Sequence, residues 1–286
     1  MWVIYAFGSA FFGGITSILA KCGIKQTDSN VATAIRTIVV WFCSWLMVFL
    51  VGSQKSIADV DMKSWVFLIL SGLATGASWL CYFRALQLGD INKVVSIDKS
   101  STVLTMLMAF AFLNETVTWL KILSIVLIGG GTYCMLERKK SVSVDKKSKI
   151  WIVYALFSAF FAALTAVLGK IGINGVESNL GTAIRTGVVL VMAWVVVFVS
   201  GKQHTVCRIH KKELYYICLS GIATGGSWLC YYKALQEGAA SIVVPIDKLS
   251  ILVTVVFSYF IFHEKLSKKA AAGLGLIVAG TLLLLV

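Results

Sequence analysis

Two short phrases place an acid beside a base inside runs otherwise fit only for lipid: Val94-Val95-Ser96-Ile97-Asp98-Lys99 and Val243-Val244-Pro245-Ile246-Asp247-Lys248. An ionisable side chain at the centre of a membrane helix costs about 2.5–3.5 kcal/mol even on insertion scales, so such residues mark a pathway for solute or proton by default. Two arginines share the setting. Arg36 stands about one and a half turns into its apolar run, and Asp98 about two turns into another that begins on the same membrane side. At 1.5 Å per residue both lie roughly 10 Å deep, which makes an Arg36–Asp98 pair possible. Arg185 and Asp247 repeat the arrangement from the opposite face. The chemistry on offer is proton acceptance by Asp98 and Asp247, with Arg36, Arg185, Lys99 and Lys248 tuning the acids or holding a solute's anionic group. A purely structural Arg–Asp strut between helices is the competing reading.

Other polar residues cluster around these charges. Asp98, Ser101 and Thr105, like Asp247, Ser250 and Thr254, fall at i, i+3 and i+7, one helical stripe. Such hydroxyls either bond a neighbouring helix or line a polar route. Trp79, Tyr82, Trp228 and Tyr231 sit at a similar depth, as a cavity wall or as an interfacial aromatic belt. Lys99 and Lys248 point about 100° around the helix from their neighbouring aspartates. If they face a cavity, its interior is net positive and favours an anionic solute. Lys21, Lys170, Arg84 and Lys233 lie near helix ends, where snorkelling to the headgroups accounts for them.

The elements that position these groups are membrane helices. Of the 286 residues, 58% are hydrophobic and 14% charged, against about 25% charged in a soluble domain. Apolar stretches of about twenty residues, each able to cross roughly 30 Å of hydrocarbon, follow one another from end to end. They predict ten spans, near 2–22, 30–52, 64–88, 91–113, 118–136, 151–171, 179–200, 213–236, 240–262 and 268–286. No cleavable leader is expected, because no basic flank precedes the first apolar run. The net charge of +13 lies in short loops, where positive-inside topology explains it without nucleic acid. The seven cysteines lack metal-ligand spacing and read as packing residues. No metal or other cofactor is implied.

An internal repeat sets the architecture. Ser71-Gly72-Leu73-Ala74-Thr75-Gly76-Ala77-Ser78-Trp79 returns as Ser220-Gly221-Ile222-Ala223-Thr224-Gly225-Gly226-Ser227-Trp228, and Thr33-Ala34-Ile35-Arg36-Thr37 as Thr182-Ala183-Ile184-Arg185-Thr186. The offset is 149 each time (185 − 36, 228 − 79, 247 − 98). The expected fold is therefore an all-α polytopic membrane protein of two five-helix repeats, 1–137 and 151–286, joined by a basic linker, 138–150. An odd number of spans per repeat inverts the second copy, a plan shared by many secondary transporters. Loop charge places the linker in the cytoplasm and both termini outside. Gly72/Gly76 and Gly221/Gly225 predict close-packing seams. The glycines of spans five and ten predict packing or a dimer face. Glu115 and Glu264 are expected to cap the helices that follow them. Pro245 faces Ser96 in the other repeat, so a bend is expected beside Asp247 and not beside Asp98.

On the Ala-Ile-Arg-Thr stretch, the Ser-Trp-Leu-Cys-Tyr stretch, Ile-Asp-Lys and the glutamate after span four, the chain resembles the EamA family of the drug/metabolite transporter superfamily. The likeness covers nearly all of both halves. Each half looks like the half-size, five-helix EamA proteins bearing Pro-Ile-Asp-Lys-Leu-Ser. That motif is Pro245 to Ser250 here, and the first half departs from it at Ser96 and Ser100. The resemblance implies a ten-helix basket, a central cavity lined by spans 1, 3, 4, 6, 8 and 9, and alternating access. Well-studied members of the superfamily are described with both termini inside, against the loop-charge count, which is kept here.

The reading is a secondary transporter for a small polar or charged metabolite in a prokaryotic inner membrane, with protons as the candidate coupling ion. The partners expected are that metabolite and membrane lipid, as a monomer or a homodimer. No phosphate-binding glycine loop supports nucleotide hydrolysis, and no nucleophile–base pair at a common depth supports an enzyme. A receptor or assembly subunit with structural ion pairs is the alternative, and a sealed, dry site would favour it.

Overall fold

In hydrocarbon every backbone N–H and C=O must find its partner within the segment, so a long apolar stretch has only the helix open to it. The computed structural model describes residues 1–23, 27–88, 94, 97–98, 100–135, 150–262 and 267–285. The first repeat holds α1 (Trp2–Gly23), α2 (Ser29–Val51), α3 (Met62–Leu88), α4 (Ser101–Phe112) and α5 (Trp119–Met135). The second holds α6 (Ile150–Gly172), α7 (Ser178–Val199), α8 (Lys211–Glu237), α9 (Ala240–Lys248), α10 (Ser250–Phe262) and α11 (Lys268–Leu282). No strand occurs among the described residues. Seven stretches are long and apolar enough to cross a membrane, while α4 and α5 are shorter apolar helices. Large apolar side chains such as Phe42, Val191 and Phe260, each more than 60% exposed, form the surface that lipid would cover. The chain is a multi-pass, all-α membrane protein. Lys99, Glu264 and most of the linker lie outside the described residues.

The repeat is visible in matched detail. Asp28 accepts hydrogen bonds from the Asn30 and Val31 amides at the start of α2. Its counterpart Glu177 does the same for Asn179 and Leu180 at the start of α7. The loops after α2 and α7 each hold a short 3-10 turn, Ser53–Ile57 and Gln203–Arg208.

The repeats do not sit side by side. Among the described residues, the main packing partner of each long helix lies in the other repeat. Helix α1 lies on α8 and α10, α6 lies on α3 and α4, α2 on α7 and α8, and α5 on α11. The glycine seams serve this exchange. A Cβ at Gly72 of α3 would come within 2.7 Å of Val188 Cβ on α7, and one at Gly221 of α8 within 2.7 Å of Val39 Cβ on α2. Gly131 and Gly273 bring α5 and α11 into backbone contact, so part of that glycine cluster packs inside the chain.

Pro245 alone predicts a bend in the ninth span only. The structure breaks the helical pattern in both repeats, at equivalent positions. Leu249 N–H bonds Ile246 C=O at 2.9 Å, and Ser100 N–H bonds Ile97 C=O at 3.1 Å, both i→i−3. The ninth span is thus two helices, α9 and α10, rather than one. Because Ser96 stands where Pro245 would, proline is not the common cause. Tight turns of this kind inside a helix often mark hinges.

Candidate functional site

A cavity of about 280 Å³ lies between the repeats. Its wall draws on α1 (Gly13), α3, α4, α6, α8, α9 and α10, with Arg185 of α7 in addition. Nine sequence-selected residues line it: Asp247, Lys248, Arg185, Trp79, Trp228, Tyr231, Ser101, Thr105 and Ser250. Asp98, Arg36 and Tyr82 lie outside that lining, and Lys99 lies outside the described residues. Tyr82 packs instead in an apolar cluster with Ala85, Val94 and Ala155.

Each aspartate is held by a serine of the opposite repeat. Ser9 of α1 donates to Asp247 Oδ1 at 2.5 Å, and its Oγ lies 3.2 Å from Ser227 Oγ. Ser227 in turn donates to the Ser9 carbonyl at 3.0 Å. The second copy is the same to the residue. Ser158 of α6 donates to Asp98 Oδ1 at 2.8 Å, while Ser78 Oγ lies 3.4 Å from Ser158 Oγ and donates to its carbonyl at 3.0 Å. Sequence reading passed over Ser9 and Ser158, although the 149-residue offset relates them as it relates the aspartates. An acid that accepts from a buried hydroxyl is partly compensated without any cation.

Consistent with that, the expected Arg185–Asp247 pair does not form. Arg185 is 3% exposed and donates Nε–H to Ser71 Oγ at 3.0 Å and an Nη2 proton to Thr75 Oγ1 at 2.7 Å. Its guanidinium carbon lies 5.1 Å from the Trp228 ring centre and 5.0 Å from that of Tyr232. Ring faces attract a desolvated cation. Arg185 and Asp247 line the same cavity, but direction around the helix axis sends the guanidinium to α3 and α8. Tyr232 escaped notice because its counterpart is Phe83, so the repeat comparison filters it out.

The first repeat does not mirror this docking. Of the counterparts of Ser71 and Thr75, Ser220 donates to the Ile217 carbonyl, and Thr224 to the Ser220 carbonyl and Thr16 Oγ1, and neither accepts from Arg36. Among the described residues Arg36 makes no side-chain hydrogen bond. Lys248 is exposed, is among the residues lining the cavity, and forms no ion pair among the described residues. The charged lining is therefore Arg185, Lys248 and Asp247, with one positive charge in excess if all are ionised.

Around the cavity, several expectations about the helix ends change. Glu115 does cap a helix, but α9 of the other repeat rather than the adjacent α5. Its carboxylate accepts from the Ala240 amide at 2.6 Å, the Ser241 amide at 3.1 Å, and the Ser241 hydroxyl. Lys170 does not snorkel. It donates to the carbonyls of Leu235, Gln236 (3.2 Å) and Gly238 (2.8 Å) at the end of α8. Lys233 pairs with Glu237 at 2.9 Å on the surface. Lys121 is buried and donates to the Thr116 carbonyl at 2.8 Å.

The sequence profile of the EamA-like transporter family matches residues 1–137 and 149–286, both halves of the chain. The chain belongs to that family. EamA membership supports a role in membrane transport. A protein of Sinorhizobium sp described as an uncharacterized transporter in the cobO 3' region is 42% identical over 139 residues, 49% of this chain and 99% of that protein. The uncharacterized transporter YxxF of Bacillus subtilis is 26% identical over 42% of this chain and 39% of its own length. A solved crystal structure superposes with a TM-score of 0.80 at 15% identity, covering 99% of this chain and 96% of that one, a likeness of fold. For this EamA protein, then, the two family repeats enclose the polar cavity just described.

Proposed function

We propose that this protein is a secondary active transporter that moves a small polar or charged metabolite by alternating access, with protons as the coupling ion. Its setting is a prokaryotic plasma membrane crossed ten times, with the linker cytoplasmic. The observation that carries the reading is that Arg185, Asp247 and Lys248 converge on one cavity between two inverted repeats. A receptor or assembly subunit would have its charges sealed in dry helix contacts, and an exposed Lys248 speaks against that. The excess positive charge of the lining favours a solute with a carboxylate or another anionic group. Asp98 and Asp247, equivalent in sequence and each bonded by a serine of the other repeat, are the proton acceptors of this scheme.

A thermal-shift screen of the purified protein against charged metabolites should yield a ligand, because binding to the folded state alone raises the melting temperature. Uptake of that ligand into proteoliposomes should then be driven by a pH gradient. Asp98→Asn with Asp247→Asn is expected to abolish gradient-driven accumulation while leaving the fold intact. Accumulation equal to the parent's in that double variant would sink proton coupling through these acids.

A further inference from the structure

Glu115 and Lys170, at the face opposite the linker, are not part of the cavity lining, yet one short helix connects them to it. Helix α9 has nine residues, Ala240–Lys248, about 13 Å at 1.5 Å per residue. Its first turn is capped by Glu115 from the other repeat. Its last turn carries Asp247 and Lys248 into the cavity, and the i→i−3 turn at Leu249 follows at once. Lys170 fixes the preceding connection by binding the Leu235, Gln236 and Gly238 carbonyls, while Gln236 donates to the Ile173 and Val176 carbonyls at 3.1 and 2.6 Å.

Both charged groups use the orphan backbone atoms of helix ends. A carboxylate is favoured at the N-terminal end of α9 and an ammonium at the C-terminal end of α8. Asn114, directly before Glu115, has φ +52°, a left-handed turn that asparagine tolerates better than most residues. It marks the sharp turn from which the carboxylate reaches α9. A separate vestibule of about 580 Å³ contains Glu115, Lys170 and Gln236 in its wall, and it shares no lining residue with the central cavity. Glu115 and Lys170 therefore line the vestibule, while Asp247 and Lys248 at the other end of α9 line the central cavity.

We propose that Glu115 and Lys170 form the gate on the face opposite the linker, and that α9 is the lever they hold. Release of the Glu115 cap lets α9 pivot at Leu249, which opens the cavity to that face and displaces Asp247 and Lys248 together. Glu115 and Lys170 are positioning residues and do not touch the solute. The gate rests on the transporter reading for its purpose, but it is measurable without any solute.

An Ala162→Cys probe in the cavity wall would be labelled with a membrane-impermeant maleimide in vesicles of both orientations, and read by peptide-resolved mass spectrometry. Native Cys207, exposed on the linker face, identifies which vesicles present which face. Glu115→Gln should raise labelling at 162 about tenfold, the scale set by losing hydrogen bonds to a charged group, and only in vesicles that shield Cys207. Lys170→Met, which disturbs the other half of the clasp, should shift labelling in the same direction. Labelling equal to the parent's in both variants, or raised equally from both faces, would overturn the gate. Face-specific labelling without uptake of any solute would leave the gate standing and remove the transport reading instead.

Discussion

Arg185→Lys is expected to weaken binding of the screened ligand by tenfold or more while the protein still folds. Arg185 spends two donors on Ser71 and Thr75 and lies over two aromatic rings. A planar fork can do both and still present N–H groups to a solute. A lysine ammonium is a compact point charge that cannot hold the same plane. Losing one hydrogen bond to a charged group costs about 1.5–3 kcal/mol, which is roughly a tenfold to hundredfold change in an equilibrium constant. Arg185→Met should abolish the ligand's thermal shift altogether. Isothermal titration of the purified variants checks both, and parent-like affinity in Arg185→Lys would show that the arginine is only a strut. Arg36→Lys should have the smaller effect on the same measurement, because no comparable set of partners holds Arg36.

The largest effect on stability is expected at Gly273→Ala. A Cβ there would lie 2.6 Å from the Gly131 carbonyl oxygen and 2.7 Å from the Met135 amide nitrogen. Both are backbone atoms, so neither can move without separating α5 from α11. Overpacking a well-packed contact costs about 1–3 kcal/mol and more where relief is blocked. Gly130→Ala and Gly275→Ala are the matched controls, since a Cβ at either meets nothing within 4 Å. Alanine in an open helical site gains roughly 0.8–1.0 kcal/mol of propensity over glycine. The melting temperature should therefore fall steeply for Gly273→Ala and hold or rise for the two controls. Equal behaviour of all three would mean that α5 and α11 do not pack through Gly131 and Gly273.

The architecture was legible because an ungapped 149-residue repeat carries more information than hydropathy alone. It revealed two related halves and singled out Asp98, Asp247, Arg36 and Arg185 as a set. What it could not supply was neighbourhood. Counting residues along a helix gives depth, but the bonding partner depends on rotation and on which helix lies alongside. Arg185 therefore met Ser71 and Thr75, not Asp247. Glu115 was read as a cap from its place in a turn, correctly as chemistry. It serves α9 because the repeats interleave, and sequence adjacency is no guide to that. Ser9 and Ser158 were present in the repeat from the start, but serines in an apolar run draw no attention until an acid is seen beside them. Tyr232 shows the opposite limit: residues on which the repeats disagree are those the comparison discards.

The crosswise serine–aspartate bonds carry an evolutionary consequence. Because Ser9 bonds Asp247 and Ser158 bonds Asp98, each acid draws its hydroxyl partner from the other half. Two identical copies of one half would have to place the same residue in both orientations. A single chain is free of that constraint, and its halves have begun to specialise. Tyr232 stacks on Arg185 where the other half keeps Phe83, and Pro245 stands opposite Ser96. The linker also keeps the partners at a high effective concentration. Pairing is then assured even where divergence has made the two halves no longer interchangeable.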